Sequence, residues 1–484
     1  MAGRPAAQDA PQLGAKIRAL RRRDNMSQVL LAERLSISPS YLNLIEHNRR
    51  GLSAVLLIKL AQIFNLDLQT LSGDHDALLV ADLLEAFGDP IFEGHGITAA
   101  EVRELSGGSH GVARAVIALY HAYRSARESA DSLALTVSEG DDVPGAHGSR
   151  LPSEEVSDLV QRHLNHFPDL EAGAEALWRV GGLSTDSLYE RLAGYLQEAH
   201  RVEVRVETVA VMRGAVRRYD PTRKMLYLSE VLRRGSRNFQ LAYQVGLLAH
   251  SATLDRIARD PGLTTGESRA LARVALASYF AGAVLMPYRT FLEAAKKERY
   301  DIDLLGHRFR TSFEQICHRL TTLRRPGAEG VPFHFVRLDM AGHISKRFSA
   351  SGLRFTRFSG ACPRWNVFAA FQTPGMIRVQ VSQMPDGATY FWIARTLHKD
   401  IGGYHAPNTV LAVGLGCDVR YAKELIYAHG VDLANPDAIV PVGITCRLCV
   451  RTDCEQRAFP ALQHPLQVNE NVRGASFYAP VEKP

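Results

Sequence analysis

Residues 17–50 constrain the fold of this chain more than any other stretch, because their pattern fits two short helices joined by a tight turn. Ser27 is a preferred N-cap residue, and three leucines follow it at the spacing of one helical face. After a turn at residues 36–37, Ser38 caps a second helix that begins with Pro39, where the missing N–H costs nothing. The segment therefore predicts a helix-turn-helix rather than an ordinary pair of core helices.

Positive charge is concentrated beside this motif. Residues 1–70 contain ten Lys or Arg and five Asp or Glu, a net charge of +5, while the whole chain carries +6. Neutralising the phosphates of DNA requires such a local excess. We expect the second helix to bury Leu42 and Ile45 and to turn its other side toward base edges. The residues predicted to contact DNA are Gln28, Ser38, Ser40, Tyr41, Asn43, Arg49 and Arg50.

The same segment resembles the DNA-binding domain of the xenobiotic-response-element-type bacterial repressors. The resemblance rests on the Leu-Ala-Glu-Arg-Leu run at residues 31–35 and on the Ile-Glu-x-x-x-Arg ending at residues 45–50. It departs from that pattern at Ser36, where the turn usually has Gly. A further amphipathic helix at residues 54–68 is expected to complete an all-α domain at residues 1–70, whose partner is a double-stranded DNA operator.

A helical connector is predicted at residues 71–136. Its last helix carries an apolar stripe that fits either an internal packing face or a seam between two copies. The stripe consists of Val116, Leu119, Tyr120 and Tyr123. Because dimers that read two half-sites are usual for helix-turn-helix proteins, we expect a homodimer or a higher homo-oligomer. Residues 137–153 are polar, rich in Gly and Pro and without periodicity, so they are predicted to be a linker.

The length of 484 residues predicts about three domains, and 46% hydrophobic with 22% charged residues indicates a globular chain. No apolar run reaches the ~18 residues of a membrane span, and the N-terminal stretch lacks the apolar core of a signal peptide. We therefore expect a cytoplasmic protein, in which the six cysteines are thiols or metal ligands before they are disulfides.

Residues 154–325 are predicted to form an α+β domain. Two of its segments, residues 239–247 and residues 279–287, resemble the ImmA/IrrE-type metallopeptidase domain. In that family the first helix carries His-Glu-x-x-His, which supplies two zinc ligands and the glutamate that activates water. Aligned on the flanking Leu-Ala, those places hold Tyr243, Gln244 and Leu247. The resemblance therefore implies a degenerate zinc-peptidase-like domain without metal, and we expect no enzyme.

The lost metal cleft leaves a concave site in which Tyr243 and Gln244 replace the polar floor, and we predict that it binds a small molecule. Arginines are frequent between residues 205 and 237, and guanidinium groups bind phosphates in bidentate fashion. The predicted ligand-binding residues are Arg205, Arg213, Arg237, Phe239, Tyr243 and Tyr288.

The C-terminal domain, residues 326–484, is predicted to be α+β, with several strands and a helix at residues 420–429. Its distinctive motif is Cys-x2-Cys-x4-Cys, with arginines at positions 447, 451 and 457 that favour the thiolate form. A four-iron cluster or a structural zinc needs a fourth ligand, for which Cys362 is the first candidate and Cys417 the second. The predicted metal ligands are Cys362, Cys446, Cys449 and Cys454. Iron–sulfur is favoured over zinc, and a packing motif of reduced thiols is the alternative.

Nearly end to end, the chain resembles the short-chain fatty-acid transcriptional regulators of bacteria, which combine these three domains. The matching segments include residues 242–244, 285–288, 312–320, 362–366 and 446–460. The resemblance implies a sequence-specific DNA-binding regulator of propionate, acetate or related acyl-CoA metabolism. It also implies a CoA thioester, such as propionyl-CoA or acetyl-CoA, as effector and, in some members, an iron–sulfur cluster. The rival interpretation is a redox or metal sensor in which the cysteine domain receives the signal and the middle domain is a scaffold.

Overall fold

The computed structural model describes residues 14–24, 26–47, 50, 56, 59–60, 63–64, 74–92, 95–139, 151–350, 353, 361–399, 409–433, 435–446, 449–461 and 476. The chain divides into two compact units. The first unit comprises Met1–Ser149 with Phe459–Glu470, and the second comprises Arg150–Ala458 with Asn471–Pro484. Separate hydrophobic cores lie in the helix-turn-helix and in the second unit, so the predicted multidomain architecture is confirmed.

Three short helices form the helix-turn-helix: α1 (Gly14–Arg23), α2 (Gln28–Leu35) and α3 (Pro39–Glu46). Both predicted caps are confirmed, because the hydroxyl groups of Ser27 and Ser38 each accept a hydrogen bond of 3.1 Å from a backbone N–H in the first turn. Between the two helices, Ser36 has a left-handed backbone with φ of 59°. Gly adopts this conformation without a steric penalty, which explains why the resembling repressors usually have Gly there.

The core of the helix-turn-helix is built from the apolar positions that the sequence pattern indicated. Its buried members are Ile17, Leu31, Ala32, Leu35, Leu42, Ile45, Leu56, Leu60 and Phe64. The last three come from the helix predicted at residues 54–68, most of which lies outside the described residues. Packing against this shared core fixes the angle between α2 and α3.

The rest of the first unit contains α4 (Asp74–Phe87), a 3₁₀ turn at Pro90–Phe92, α5 (Ala99–Gly108) and α6 (His110–Glu139). Their small core consists of Leu83, Val102, Ala113 and Ile117. Residues 137–139, which were predicted to belong to a linker, are helical because α6 continues to Glu139. The Ala- and Leu-rich run at residues 133–135 favours this continuation.

The second unit begins with α7 (Pro152–Arg162), α8 (Pro168–Val180) and α9 (Leu188–His200). A three-stranded sheet of order β1–β3–β2 follows, formed by β1 (Glu203–Glu207), β2 (Arg217–Asp220) and β3 (Met225–Ser229), with α10 (Val209–Met212) between β1 and β2. The next helices are α11 (Arg234–Ala249), α12 (Ser251–Ile257), α13 (Gly266–Leu285), α14 (Tyr288–Lys297), α15 (Ile302–Phe309) and α16 (Phe313–Thr321).

A six-stranded sheet of order β5–β4–β8–β7–β6–β9 completes the second unit, and only its β6–β9 pair is parallel. Its elements are β4 (His334–Asp339), β5 (Ile344–Phe348), α17 (Asn366–Ala369), β6 (Arg378–Gln383), β7 (Thr389–Lys399), β8 (Thr409–Asp418) and β9 (Ile439–Pro441). One face of this sheet shares a core with the helices of the unit through Phe335, Phe391 and Val413. The other face forms a second core around Trp392.

The prediction of an α-helix at residues 420–429 is wrong. The structure has two 3₁₀ turns there, Val419–Glu424 and Ile426–Ala428. Leu425 separates them in an extended conformation with ψ of 138°, and its side chain is 2% exposed. Burying this leucine in the core interrupts the helical backbone, and helix propensity is too weak to resist such tertiary packing.

Among the described residues, no single helix combines the length and the apolar composition that crossing a membrane requires. The bent pair of α13 and α14 meets that criterion only when both helices are counted together.

A buried ion pair joins three helices of the second unit. Arg319 on α16 donates hydrogen bonds of 2.6 and 2.9 Å to the carboxylate of Glu171 on α8, and neither side chain is more than 2% exposed. Tyr279 on α13 donates to the same carboxylate at 2.6 Å. Burial alone would raise the pKa of Glu171, but the charge of Arg319 and these hydrogen bonds outweigh it and lower that pKa. The carboxylate is therefore ionised, and it connects α8, α13 and α16.

Replacing Arg319 with Met should lower the free energy of unfolding by about 3–5 kcal/mol, because the charge of Glu171 would remain buried without its partner. The matched control is Arg256→Met. Arg256 pairs with Asp169 at 2.6 Å where both side chains are 61% exposed, so its loss should cost about 0–1 kcal/mol. Urea unfolding of the full-length chain measures both values, and equal losses in the two variants would contradict the prediction.

Candidate functional sites

The exposed side of α3 carries the predicted base-reading residues. Leu42 and Ile45 are buried, whereas Ser40 and Asn43 are exposed. The Ser38 hydroxyl is occupied as the cap of α3. Capping orients the N-terminus of α3, so Ser38 supports the surface while Ser40 and Asn43 are available on it.

One aromatic and one basic side chain flank this surface. The guanidinium carbon of Arg50 lies 5.1 Å from the centre of the Tyr41 ring, a cation–π distance. Both residues are accessible to solvent. Arg49, the other predicted phosphate contact, lies outside the described residues. The contact therefore holds one positive charge beside α3.

Glu46 links α3 to α1 and α2, a role that the sequence pattern did not reveal. Its side chain is about 1% exposed and receives two hydrogen bonds from Arg21, at 2.6 and 3.1 Å. Gln28 donates to the same carboxylate at 2.9 Å and to the side-chain oxygen of Asn43 at 3.3 Å. Gln28 thus links the buried carboxylate to the exposed reading surface. The bidentate Arg21 contact is the kind that fixes orientation as well as charge.

In the peptidase-like domain, a guanidinium group occupies the place in front of the former metal-binding helix. Tyr243 and Gln244 lie on α11 and are buried. Arg217 reaches them from β2, donating to the Gln244 side-chain oxygen at 2.5 Å. Its guanidinium carbon lies 4.2 Å from the centre of the Tyr243 ring. A positive charge of the protein itself therefore lies against the two side chains that align with the first His and the Glu of the peptidase motif.

The environment of Arg217 is short of negative charge. Among the described residues, no carboxylate lies within 4.0 Å of its guanidinium, and burial lowers its pKa. Burial raises the pKa of Tyr243, while the positive charges of Arg217 and Arg273 lower it. A half-buried cation without an anionic partner favours an anion or a polarised carbonyl oxygen as ligand.

His250, the one histidine near this cleft, serves packing. Its ring lies 4.6 Å from the ring of Phe280, and a Cβ atom added to Gly173 would come within 2.6 Å of it. Burial lowers its pKa below the usual histidine value, so the ring is neutral at pH 7. The interpretation of His250 as a residue outside any metal site agrees with these contacts.

The six predicted ligand-binding residues do not share one set of neighbours. Arg205 is exposed on β1 and pairs with Glu203 at 2.8 Å, and Arg213 is exposed in a left-handed turn. Arg237 donates to the backbone oxygen of Glu230 at 3.0 Å. Phe239 is partly buried and packs against the main core of the second unit. Of the arginines that the sequence shows in this region, Arg217 is the one that contacts Tyr243.

Tyr288 has a separate structural role. Its hydroxyl donates to the backbone oxygen of Ala328 at 3.0 Å and accepts from the backbone N–H of Arg325 at 2.7 Å. The side chain is 1% exposed. Tyr288 therefore fixes the segment between α16 and β4, and its contacts do not overlap with those of Tyr243.

The C-terminal cysteines meet in one small pocket. Its lining includes Cys362, Cys446, Cys449 and Cys454. The backbone N–H of Cys362 donates to the oxygen of Ile444 at 3.0 Å, which brings the two distant segments together. By contrast, Cys317 on α16 and Cys417 on β8 lie in the main core, where burial raises their pKa.

Backbone N–H groups point at two of these sulfur atoms. Ala458 donates to the Cys446 sulfur at 3.4 Å. Burial raises the pKa of Cys362, but N–H groups of Gly443 and Arg364 favour its thiolate and act in the opposite direction. Among the described residues, no group of three or more His, Cys, Asp or Glu side chains is close enough together to hold a single metal ion.

Arg457 supports the cysteine loop from inside rather than facing the sulfur atoms. It is 5% exposed and donates to the backbone oxygens of Cys446 at 2.6 Å and Cys449 at 2.8 Å, and also to that of Arg451. Arg451 in turn donates to the backbone oxygens of Gln383, the last residue of β6, and of Met384. Both arginines thus donate to neutral backbone carbonyl groups, which leaves their positive charge in place, so the expectation that they favour thiolates stays a prediction. Arg447 lies outside the described residues.

These domains define a transcriptional regulator that combines a helix-turn-helix with a degenerate peptidase-like domain and a cysteine-containing sheet domain. Three family models match the chain: a helix-turn-helix at residues 17–71, an IrrE N-terminal-like domain at residues 197–321, and the C-terminal domain of short-chain fatty acyl coenzyme A regulators at residues 322–478. The chain belongs to the family of short-chain fatty acyl coenzyme A regulators.

Full-length relatives agree with this assignment. The chain is 41% identical to the HTH-type transcriptional regulator PrpR of Mycobacterium tuberculosis, over 97% of this chain and 96% of that protein. It is 39% identical to RamB of the same species, over 96% and 98%, and to the propionyl-CoA carboxylase regulator of Cereibacter sphaeroides, over 97% and 98%. A solved Mycobacterium tuberculosis transcriptional regulator matches with a TM-score of 0.65 and 44% identity, over 67% of this chain and 98% of that one. The protein is a DNA-binding transcriptional regulator.

Proposed function

We propose that this regulator controls genes of short-chain acyl-CoA metabolism and that a CoA thioester, such as propionyl-CoA or acetyl-CoA, is its effector. The observation that carries the proposal is the replacement of a metal cleft by the Arg217 guanidinium, held between Gln244 and the Tyr243 ring. This arrangement removes the water-activating chemistry and retains a polarising group. The names of the relatives, one of which regulates propionyl-CoA carboxylase, support the same substrate class.

The acyl end of the thioester fits the chemistry of this cleft. Within the described part of the chain, the Arg217 guanidinium donates to one side-chain acceptor, the neutral amide of Gln244, so its further N–H donors are available to a carbonyl oxygen. The ring of Tyr243 offers an apolar surface to a short acyl chain. Ligand binding would compete with Gln244 for Arg217 and shift α11 or β2. By linkage, an effector that changes DNA affinity is itself bound with changed affinity on DNA.

Propionyl-CoA or acetyl-CoA should raise the melting temperature of the full-length protein, with about 2.7 kcal/mol of stabilisation at a hundredfold excess over Kd. Arg217→Gln should lose most of this shift, because the donor to the thioester is gone. The matched control is Arg234→Gln. Arg234 is exposed and pairs with Glu190 at a distance of 3.0 Å, and it makes no contact with Tyr243 among the described interactions. Thermal shift in the presence of each ligand is the measurement. A full response in Arg217→Gln would contradict this site.

We also propose that Cys362, Cys446, Cys449 and Cys454 hold an iron–sulfur cluster, which would make redox state a second input. Four thiols around one pocket supply the ligand number of a four-iron cluster, and N–H groups directed at sulfur are typical second contacts. When bound, such a cluster supplies one-electron redox chemistry.

Anaerobically purified protein should contain iron and acid-labile sulfide, and Cys446→Ser or Cys449→Ser should lose both and destabilise the second unit, because metal binding contributes folding free energy. Cys417→Ala is the matched control, since it removes a buried thiol from β8 outside the pocket. Iron and sulfide analysis together with melting curves provides the readout. Equal iron content in Cys417→Ala and Cys446→Ser, or zinc in place of iron, would contradict the proposal.

Finally, we propose that two copies pair through α6. Ala113, Ile117 and Tyr120 bury one side of this helix in its own unit. The opposite side exposes Val112 at 54% and Leu119 at 71%, and exposed alanines continue it at positions 115, 122 and 126. These five positions alternate by three and four residues, the spacing of a coiled-coil seam. The helix has 30 residues, about 45 Å, which is long enough for such a seam.

Leu119→Glu should weaken operator binding and convert the protein to a smaller species, because a charge would be placed in the seam between the two copies. Asn43→Ala is the control: it should relax base preference at about 1–3 kcal/mol per lost contact and leave the assembly unchanged. Light scattering and DNA titration at fixed salt provide the two readouts. An unchanged mass for Leu119→Glu would contradict pairing through α6.

A further inference from the structure

Three basic side chains and a single carboxylate lie where α16 meets the six-stranded sheet. The basic residues are Arg337 on β4, Lys346 on β5 and Lys399 at the end of β7, and the carboxylate is Glu314 in the first turn of α16. We propose that these groups, named the junction cluster, bind the phosphate groups of a small anionic ligand. The proposal rests on the proposed function only in naming CoA as the source of those phosphates.

Glu314 is fully engaged by two of the three cations. Its carboxylate oxygens lie 2.6 Å from an Arg337 nitrogen and 3.4 Å from the Lys399 ammonium. Burial acts to raise the pKa of Glu314, but His318 and these cations lower it well below the usual range. The carboxylate is therefore ionised at any working pH, and its single negative charge already faces Arg337 and Lys399.

Lys346 is the surplus cation of the junction cluster. It is solvent-accessible, and no carboxylate among the described residues lies within 4.0 Å of its ammonium. The surrounding protein displaces part of the water around the ammonium, which is the main cause of its lowered pKa, and the nearby Arg337 and Lys399 lower it further, against the effect of Glu314. Lys346 is also the direct cross-strand partner of Arg337 in the β4–β5 register. Like charges directly opposite each other destabilise a sheet, so this arrangement is costly without a ligand.

The other charged groups on this face do not compensate Lys346. Arg395 on β7 pairs with Asp303 at 2.6 Å, and Asp339 at the end of β4 pairs with His343 at 2.9 Å. The ring of His318 lies 4.1 Å from that of Phe335, and burial together with Lys346 lowers its pKa to about 4, so it is neutral at pH 7. Three cations and one anion leave a formal charge of +2.

A phosphate monoester or diphosphate supplies the missing charge. Such groups carry two negative charges and several acceptor oxygens near neutral pH, and Lys ammonium groups bind them as point charges. A bound phosphate would raise the pKa of Lys346 toward its ordinary value and relieve its repulsion from Arg337. Because the cluster joins α16 to β4, β5 and β7, the ligand would also hold the helical part of the second unit against its sheet.

Isothermal titration of the full-length protein tests the proposal with adenosine 3′,5′-bisphosphate, propionyl-CoA and phosphate-free propionyl-pantetheine as probes. The bisphosphate and propionyl-CoA should bind, with affinity falling as salt rises. Lys346→Gln and Lys399→Gln should each weaken that binding about tenfold, the effect of about 1.4 kcal/mol. The matched control Arg289→Gln removes the same charge from a side chain that is 89% exposed on α14, and it should bind like the wild type.

Lys346→Gln should melt no lower than the wild type without ligand, because it removes a repulsion, so lost affinity cannot be attributed to unfolding. Equal affinity for the bisphosphate in Lys346→Gln and the wild type would overturn the junction cluster while leaving the CoA effector intact. Equal losses in Lys346→Gln and Arg289→Gln would also overturn it, since they indicate nonspecific attraction. If the wild type binds the bisphosphate as tightly as propionyl-CoA and ignores propionyl-pantetheine, the junction cluster stands and the thioester effector fails.

Discussion

The ion pair between Glu171 and Arg319 holds the arrangement on which the second unit depends. A carboxylate that is about 1% exposed is tolerated only when its charge and its hydrogen bonds are both matched, and here a bidentate guanidinium and a phenol satisfy it. One result is a fixed position for α16, whose inner side carries Arg319. Its first turn carries Glu314 toward the sheet. Ion pairs therefore hold α16 on both sides, and they also fix the position of Glu314 in the junction cluster.

The basic groups of the second unit differ mainly in what each one is paired with. Arg319 is paired with the carboxylate of Glu171, and its role is structural. Arg457 is matched by backbone oxygens and shapes the cysteine loop. Arg217 and Lys346 lack a carboxylate within the described part of the chain, and these are the two positions at which we propose a ligand. A cation without a carboxylate partner is thus the physical feature that separates the proposed binding sites from the scaffold.

Local sequence rules predicted the elements whose stability is itself local. Ser27 and Ser38 cap their helices as expected, because capping depends on residues within one turn. The loss of the metal motif was visible for the same reason, since its three places lie on one helix. The prediction of a helix at residues 420–429 was wrong under these rules, because burial of Leu425 in the core interrupts the helix that the local pattern favours. Ser36 shows the intermediate case, in which a left-handed turn is retained without the usual Gly.

By itself, the sequence determined the helix-turn-helix, the absence of a His-Glu-x-x-His motif from α11 and the spacing of three cysteines, because each depends on neighbours within a few residues. Only the tertiary structure placed Cys362 beside that motif, through its backbone contact with Ile444, and Arg217 beside Tyr243. It alone set Lys346 opposite Arg337. Strand register and core packing decide such distances, and they bring together side chains whose separation along the chain carries no information about their contact.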